Sequence, residues 1–358
     1  MSRFFSQKYA ALEPYVPGEQ PRERKYVKLN TNESPYPPSP LLKERVAERS
    51  AALNLYSDPE CTLLREKLAA RLGVRAENVL PTNGSDEALN FAFMAFGDKD
   101  HPFAFADITY GFYTVFCALN GVPFVEIPLR EDFSVGAEDY IGIGKNIVIA
   151  NPNAPTGMAL PRAELERVIA SNPGSVVVVD EAYVDFGGES CVPLIEKYDN
   201  LLVMQTFSKS RSLAGARLGF AVGCKELIAD LNTVKYSTNP YNVNSMTLAA
   251  GEAALDDDGY YMGNCREIAA TREYVAAELK KLGFTVLDSR ANFVFCSSPA
   301  ISGAELYAQL RARGVLVRHF DKPRIADWNR VSVGTREQMD IFLGAVRDIL
   351  NKKGGAAG

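Results

Sequence analysis

Histidine is scarce in this chain of 358 residues, which contains only His101 and His319. Catalytic triads need a histidine base, and many zinc sites are built from several histidine ligands. Sites that depend on several histidines are therefore excluded. Proton transfer near neutral pH must instead be carried out by a lysine, a tyrosine or a carboxylate whose pKa the fold has shifted.

Close cysteine pairs, runs of like charge and long apolar runs are missing too. The six cysteines lie far apart, without the spacing of a zinc site or the density of a disulfide scaffold. The net charge of -5 includes no polybasic run, and no stretch of about 18 apolar residues could span a bilayer. These absences predict a cytoplasmic protein with reduced thiols, no bound metal and no nucleic-acid or membrane partner.

The hydrophobic pattern indicates two domains. From about residue 60 to 255, helical patterns alternate with short apolar runs, as in parallel strands joined by crossover helices. We predict an α/β fold whose large domain has a doubly wound, mainly parallel sheet, with a smaller α+β domain. The expected division is an N-terminal arm over residues 1–40 that joins the small domain, a large domain over 41–257 and a small C-terminal domain over 258–358.

Strand positions follow from the apolar runs. The strands expected in the large domain cover residues 103–106, 124–128, 146–150, 176–180, 201–206 and 218–222, and those in the small domain cover 292–297, 315–320 and 330–333. Ser85 is expected to cap a helix that has Asp86 and Glu87 in its first turn. Ligands of such sheets bind beyond the carboxyl ends of the strands, so the residues at those ends are the site candidates.

Two strand ends carry residues suited to imine chemistry. Lys209 follows the predicted strand 201–206, and a lysine there can condense with an aldehyde if burial or nearby positive charge lowers its pKa. Asp180 ends another apolar strand, where a buried carboxylate needs a positive partner such as a protonated pyridine nitrogen. Pyridoxal chemistry requires this pair of groups. Thr206, Ser208, Arg217 and the helix start at Gly84–Asp86 are suited to hold a phosphate.

Motifs along nearly the whole chain carry a family resemblance. The chain resembles the fold type I pyridoxal-phosphate aminotransferases, and more closely the histidinol-phosphate aminotransferase group. The matching segments are residues 28–35, 82–87, 109–113, 151–157, 180–183, 206–219 and 330–335. The segments around Asp180 and Lys209 are highly specific for the fold and cofactor, whereas the two terminal segments that favour the subgroup are less specific.

The resemblance implies roles around the ring of pyridoxal 5'-phosphate. Lys209 would be the Schiff-base lysine and proton shuttle, and Asp180 would pair with the ring nitrogen. Tyr183 would donate to the ring hydroxyl, and Tyr110 would stack on the ring. Family members usually carry asparagine directly before Pro-Thr-Gly, where this chain has Ala154. Asn153, one position earlier, is the candidate to take over that contact with the ring hydroxyl.

The resemblance also implies phosphate, subunit and substrate contacts. The residues expected around the cofactor phosphate are Gly84, Ser85, Asp86, Thr206, Ser208 and Arg217. Tyr56 matches a tyrosine that reaches the phosphate of the neighbouring subunit, which implies a homodimer. Arg330 matches the arginine that binds the substrate carboxylate, and the other substrate-binding candidates are Arg318, Tyr15, Tyr241 and Asn32.

The function expected from these residues is transfer of an amino group between histidinol phosphate and 2-oxoglutarate. A threonine-phosphate decarboxylase and a broad or aromatic aminotransferase on the same scaffold remain alternatives. Which bond at the α-carbon breaks depends on its orientation relative to the cofactor ring, which the sequence does not determine. A regulator with an aminotransferase-like domain would need an added helix-turn-helix module, for which the first 40 residues leave little room.

Overall fold

The computed structural model describes residues 2–21 and 23–355. In this part of the chain the α-helices are α1 (Pro40–Ser50), α2 (Thr62–Leu72), α3 (Ser85–Phe96), α4 (Phe112–Asn120), α5 (Arg162–Ser171), α6 (Lys225–Thr238), α7 (Ser245–Asp256), α8 (Asp258–Lys281), α9 (Gly303–Ala312) and α10 (Arg336–Gly355). The strands are β1 (Val27–Lys28), β2 (Val79–Thr82), β3 (Phe103–Ala106), β4 (Phe124–Ile127), β5 (Asn146–Ala150), β6 (Val177–Asp180), β7 (Leu201–Thr206), β8 (Gly219–Gly223), β9 (Thr285–Val286), β10 (Phe293–Ser297), β11 (Val315–Leu316), β12 (Arg318–His319) and β13 (Trp328–Ser332).

A seven-stranded sheet forms the large domain, with strand order β2-β8-β7-β6-β5-β3-β4. The neighbouring strands β7 and β6, β6 and β5, β5 and β3, and β3 and β4 are all parallel. Strand β8 runs antiparallel to both of its neighbours, β2 and β7. This confirms the predicted doubly wound α/β fold. The strand β2 was not predicted because Pro81 interrupts its apolar run; the structure places it at the sheet edge, where a proline is tolerated.

Both faces of this sheet are buried, which explains the continuous apolar runs of its central strands. Successive side chains of a strand point to opposite faces. Val177 and Val179 of β6 accordingly pack in one apolar cluster with helices α2, α5 and α7, and Val178 packs in the other with α3, α4 and α6. The edge strand β4 differs from the central strands, because Phe124 and Val125 are exposed.

The start of α3 corrects a detail of the prediction. Ser85 is the first helical residue rather than the cap, and the cap position is held by Gly84 with φ of 81°. Glycine adopts this conformation without the steric cost that a side chain would add. The backbone N–H groups of the first helical turn therefore lie directly after a glycine, next to the carboxyl ends of the central strands.

The second sheet, of order β12-β13-β10-β9, has its own apolar cluster together with α8, α9 and α10. The predicted strand 315–320 is divided at Val317 into β11, which pairs with β1, and β12, which pairs with β13. Leu29, directly after β1, packs in the same cluster. We propose that residues 1–40, 41–257 and 258–358 act as arm, large domain and small domain, with the arm attached to the small domain through β1. Among the described residues no helix is both long and apolar enough to cross a membrane.

Candidate active site

Lys209 and Asp180 lie on the wall of the same cavity. Asp180 is the last residue of β6, and Lys209 follows the end of the neighbouring parallel strand β7 by three residues. The carboxyl ends of both strands therefore open into one space. Its wall also includes Thr31, Glu33, Ser85, Asp86, Tyr110, Ala150, Pro152, Ala154, Ala182, Tyr183, Thr206, Ser208, Ala214 and Arg217.

The amine of Lys209 is poised as a nucleophile. Its Nζ donates one hydrogen bond, to the carbonyl oxygen of Thr31 at 3.3 Å, and it forms no ion pair within the described residues. Burial, and then the nearby charge of Arg330, lower the pKa of Lys209 to about 8. A lysine in this state has a substantial neutral fraction near neutral pH, and the neutral amine is the form that attacks an aldehyde.

Asp180 is a buried carboxylate without a cationic partner among residues 2–21 and 23–355. Its side chain is 5% exposed, and burial raises its pKa to about 6. A hydrogen bond from the Tyr113 hydroxyl at 2.7 Å and one from the Ala182 N–H at 3.2 Å act in the opposite direction. Because a buried carboxylate is costly without positive charge nearby, the arrangement fits a protonated ring nitrogen placed against Asp180.

The far end of the cavity combines a helix start with hydroxyls and an arginine. Arg217 donates to Asp86 Oδ2 at 3.0 Å and to Ser208 Oγ at 3.3 Å, and Thr206 Oγ1 donates to Ser208 Oγ at 3.0 Å. A Cβ added to Gly84 would lie 2.5 Å from Arg217 Nη2, so a side chain there would displace the guanidinium from its present position, in addition to the strain of the positive φ. Such a set of donors fits a phosphate group.

Tyr110 and Tyr183 provide aromatic walls. Tyr110 donates its hydroxyl to Asp86 Oδ1 at 2.8 Å. The Tyr183 hydroxyl accepts a hydrogen bond from Asn32 Nδ2 at 3.0 Å, and Asn32 in turn is held by Ser332, whose hydroxyl donates to its Oδ1 at 3.0 Å. Asn32 is buried and is not on the cavity wall, so the structure connects it to the site through Tyr183.

The side chain of Asn153 is bonded to its own loop and to the segment that follows β3. Its Nδ2 donates to the Ile108 carbonyl at 3.0 Å and to Thr156 Oγ1 at 3.1 Å, and its Oδ1 accepts from Thr109 Oγ1 at 2.8 Å. The structure does not bring this side chain to the cavity; Ala154 lines the wall instead. The expected replacement of the usual asparagine by Asn153 therefore receives no support from the geometry.

Arg330 is a strong candidate for binding an anion. Its Nη2 donates to the Asn30 carbonyl at 3.1 Å, its Nε is buried without a partner, and the described residues form no ion pair with it. Its guanidinium lies 5.4 Å from the centre of the Phe293 ring. Burial lowers the pKa of Arg330, and the neighbouring Tyr183 acts in the opposite direction. A half-buried cation with unused donors is suited to hold a carboxylate or phosphate.

Arg318 and Tyr15 meet at the N-terminal arm. Arg318 donates to the carbonyls of Val16 and Pro17 at 3.3 and 3.4 Å. Tyr15 stacks on Phe112 with ring centroids 4.2 Å apart, and its ring centroid is 6.2 Å from that of Tyr110. The arm therefore brings Tyr15 next to a tyrosine of the cavity wall, while Arg318 holds the arm's backbone.

Tyr56 and Tyr241 are not brought to this cavity. Their rings stack on each other at 4.5 Å on the surface, where Tyr56 is 81% and Tyr241 41% exposed. Tyr241 was expected to line the side-chain pocket beside Tyr15, but within one chain it accompanies Tyr56 instead.

Two residues of the site were not singled out from the sequence. Tyr113 stands in a motif already noted at residues 109–113, yet only the packing of α4 against the sheet reveals its contact with Asp180. Glu33 lies on the cavity wall and receives hydrogen bonds from Lys28 Nζ at 2.7 and 2.6 Å. The sequence feature that could have identified Glu33 is the matching segment 28–35, which contains it. Among the described residues no group of three or more potential metal ligands forms.

The chain matches the family model Aminotransferase class I and II over residues 24–346. Histidinol-phosphate aminotransferase 1 of Bradyrhizobium diazoefficiens is 50% identical over 350 residues, which cover 98% of this chain and 100% of that protein. Histidinol-phosphate aminotransferase of Aromatoleum aromaticum is 49% identical over 355 residues, covering 98% and 100% of the two chains.

A solved structure has the same fold. The histidinol-phosphate aminotransferase from Sinorhizobium meliloti, crystallised in complex with pyridoxal-5'-phosphate, superimposes with a TM-score of 0.90 over 98% of this chain and 99% of that one, at 22% identity. The fold, the family model and the two closely similar relatives agree. The chain therefore belongs to the class I and II aminotransferases, and within them to the histidinol-phosphate aminotransferase group.

Proposed function

We propose that the protein is a pyridoxal-phosphate-dependent aminotransferase that moves an amino group between histidinol phosphate and 2-oxoglutarate. One observation carries the chemistry: the amine of Lys209, which has no ion-pair partner among the described residues, and the uncompensated carboxylate of Asp180 line one cavity. The substrate pair is supported by the names of the two relatives, which are 50% and 49% identical to this chain.

Pyridoxal 5'-phosphate, when bound, supplies an aldehyde for a lysine amine and a protonated ring that withdraws electrons from the substrate α-carbon. Lys209 would hold the cofactor and Asp180 would keep the ring nitrogen protonated. Tyr110 and Tyr183 would enclose the ring, with Asn32 orienting the Tyr183 hydroxyl. At the phosphate, hydrogen bonds would come from the backbone N–H groups of Ser85 and Asp86 that follow Gly84, from the hydroxyls of Thr206 and Ser208, and from Arg217. Asn153 would hold in place the loop that carries Ala154.

Lys209 is the group proposed to move the proton at the substrate α-carbon. Its pKa of about 8 makes it able both to accept and to release a proton near neutral pH. The side chain of Lys209 is partly buried, which limits the access of bulk water to this proton.

The anionic ends of the substrates are proposed to bind at Arg330 and Arg318. Arg330 has an unused Nε donor, which favours it as the primary contact. Arg318 now donates to backbone carbonyls of the arm, so it would have to exchange them for the substrate. Tyr15, beside Tyr110, would border the substrate side chain.

Amino-donor preference tests this assignment directly. With histidinol phosphate and 2-oxoglutarate, the purified protein is expected to form glutamate without releasing carbon dioxide. Histidinol without the phosphate should react with a kcat/KM lower by at least about tenfold, because one charge-assisted hydrogen bond to arginine contributes roughly 1.5–3 kcal/mol. Glutamate formation and carbon dioxide release are measured in the same reaction mixture.

The alternative functions give different outcomes in that assay. Carbon dioxide released from threonine phosphate, with no glutamate formed from any donor, would make the protein a decarboxylase. Equal kcat/KM values for histidinol phosphate and for aromatic amino acids would make it a broad aminotransferase.

We further propose a homodimer with shared active sites. The surface around Tyr56 is unusually apolar for a free face, since Leu53, Leu55 and Leu63 are exposed there as well. Tyr56 would reach the cofactor phosphate of the partner subunit, and Tyr241, stacked on it, would accompany it to that site.

We also propose that the protein is cytoplasmic, because its six cysteines are all free, as thiols are in a reducing compartment.

A hybrid dimer tests the shared site. Tyr56→Ala and Lys209→Ala subunits, each expected to give a poorly active dimer, are combined through different affinity tags. In the hybrid, one site pairs an intact Lys209 with an intact Tyr56, so about half of the wild-type activity should return. A protein that sediments as a monomer, or a hybrid no more active than its parents, would exclude the proposed arrangement.

A further inference from the structure

The described residues provide one side-chain hydrogen bond to Asp180, and it comes from Tyr113. Tyr113 lies in the first turn of α4 and is fully buried. Its hydroxyl donates to Asp180 Oδ2 at 2.7 Å. A hydroxyl that donates to an ionised carboxylate forms a short, charge-assisted bond, which is stronger than one between neutral groups.

Tyr113 is itself held firmly in place. Its ring packs edge-on against Tyr110, with centroids 5.7 Å apart at 86°, and at a tilt of 58° against Phe105, with centroids 5.6 Å apart. Helix α4 and strand β3 therefore position the hydroxyl before any ligand enters the cavity. A donor that needs no reorganisation is the kind that contributes most in a buried site.

The two carboxylate oxygens of Asp180 are each fixed from the protein side. Oδ2 accepts from Tyr113 and Oδ1 accepts from the Ala182 N–H at 3.2 Å. Each oxygen of a carboxylate can accept more than one hydrogen bond, so the capacity that remains is directed to the cavity. The carboxylate thus has a set orientation as well as a set position.

We propose that Tyr113 is a positioning residue that keeps Asp180 ionised and correctly oriented for the cofactor ring nitrogen. The proposal rests on the proposed function, because it assigns Asp180 to that nitrogen. Tyr113 touches neither the cavity nor a substrate: it is not part of the cavity wall and acts through Asp180.

The electrostatic balance at Asp180 supports this role. Burial favours the protonated acid and raises the pKa of Asp180 to about 6, and the Tyr113 hydrogen bond is the main influence that lowers it. The nearby charge of Asp86 acts with burial. The titratable and charged side chains that share the cavity wall with Asp180 are Glu33, Asp86, Tyr110, Tyr183, Lys209 and Arg217. Removal of the Tyr113 hydroxyl should therefore favour protonation of Asp180 at mildly acidic pH.

The test compares Tyr113→Phe with the unaltered protein across pH. The phenyl ring fills the same space, so the fold and covalent capture of the cofactor by borohydride should persist. The acidic limb of the kcat/KM profile should move up by about one pH unit, since one such hydrogen bond corresponds to roughly one to two pKa units. At pH 6 the apparent Kd for pyridoxal phosphate, measured by absorbance titration, should rise about tenfold, and near pH 8.5 it should approach the wild-type value.

Tyr261→Phe is the matched control. Tyr261 is also a fully buried tyrosine with one hydrogen bond, in which its hydroxyl accepts from the Ser39 N–H at 3.0 Å, and it does not line the cavity. Loss of the Tyr261 hydroxyl should leave the pH dependence of kcat/KM and of the apparent Kd for pyridoxal phosphate unchanged. A Tyr113→Phe protein with an unshifted acidic limb, or with equal losses at every pH, would overturn the positioning role. Failure of the unaltered protein to take up any pyridoxal phosphate would overturn the proposed function itself.

Discussion

Lys209→Ala is expected to abolish the covalent cofactor adduct and to lower turnover by at least about 10⁴-fold. General acid–base catalysis alone contributes roughly 10²- to 10⁴-fold, and this variant also removes the amine that condenses with the aldehyde. The amine has a single weak hydrogen bond, to Thr31, so its loss should cost little stability. Borohydride reduction followed by mass measurement of the chain reports the adduct independently of turnover.

The matched control for Lys209 is Lys235, a lysine buried outside the cavity. Burial also lowers the pKa of Lys235, but its Nζ donates to the carbonyl of Pro59 and it does not line the cavity. Lys235→Met should therefore keep the adduct and nearly full turnover. An adduct that persists in Lys209→Ala, or disappears in Lys235→Met, would refute the assignment of the reactive amine.

The pH dependence of adduct formation follows from the same amine. Only the neutral form of Lys209 reacts, so with a pKa of about 8 the rate should rise with pH, reach half its maximum near pH 8 and fall about tenfold per pH unit below 7. A lysine with an ordinary pKa of about 10.4 would instead reach half its maximum above pH 10.

Much of the site could be predicted because its residues follow strands. Asp180 and Lys209 each come just after an apolar run, and parallel strands bring their carboxyl ends to one edge. The strand β2 escaped the prediction because Pro81 resembles a strand breaker until its edge position is known. The split of residues 315–320 could not be foreseen, since it depends on the pairing of β11 with the distant β1.

Side chains that act across the fold were less accessible to sequence reasoning. Tyr113 lies in the motif at residues 109–113, but nothing in that motif shows that its hydroxyl donates to Asp180 while the equally buried Tyr140 and Tyr261 serve only packing and other contacts. Asn153 illustrates the opposite case, because its position beside Ala154 suggested a cavity contact, whereas its amide is already bonded to Ile108 and Thr156. Such partners are set by the packing of separate elements and become visible only in three dimensions.

Asp180→Ala is expected to leave the adduct at Lys209 possible and yet to lower turnover by roughly 10²- to 10⁴-fold, the equivalent of the 3–5 kcal/mol that breaking a buried charge pair costs. Asp180 is the carboxylate proposed to face the ring nitrogen, and its hydrogen bonds from Tyr113 and from the Ala182 N–H hold it in place. Its removal would leave the nitrogen without that partner. The proton on that nitrogen would be lost, and with it the withdrawal of electrons from the substrate. Single-turnover formation of glutamate, measured beside borohydride capture, separates these two effects.

Glu181 supplies the control for that result, because it is the next residue along the chain, equally buried, and directed away from the cavity. Its carboxylate accepts from Ser190 Oγ at 2.6 Å and from Gln205 Nε2 at 2.8 Å, and burial raises its pKa to about 7. Glu181→Gln should lower the melting temperature while turnover changes little, since its partners hold a loop rather than the cofactor. If Asp180→Ala kept turnover close to that of the unaltered protein, the pairing of Asp180 with the ring nitrogen would be wrong. If Glu181→Gln lost as much turnover as Asp180→Ala, the effect would belong to any buried carboxylate near the end of β6. The pairing of Asp180 with the ring nitrogen requires the loss to be specific to the residue that faces the cavity.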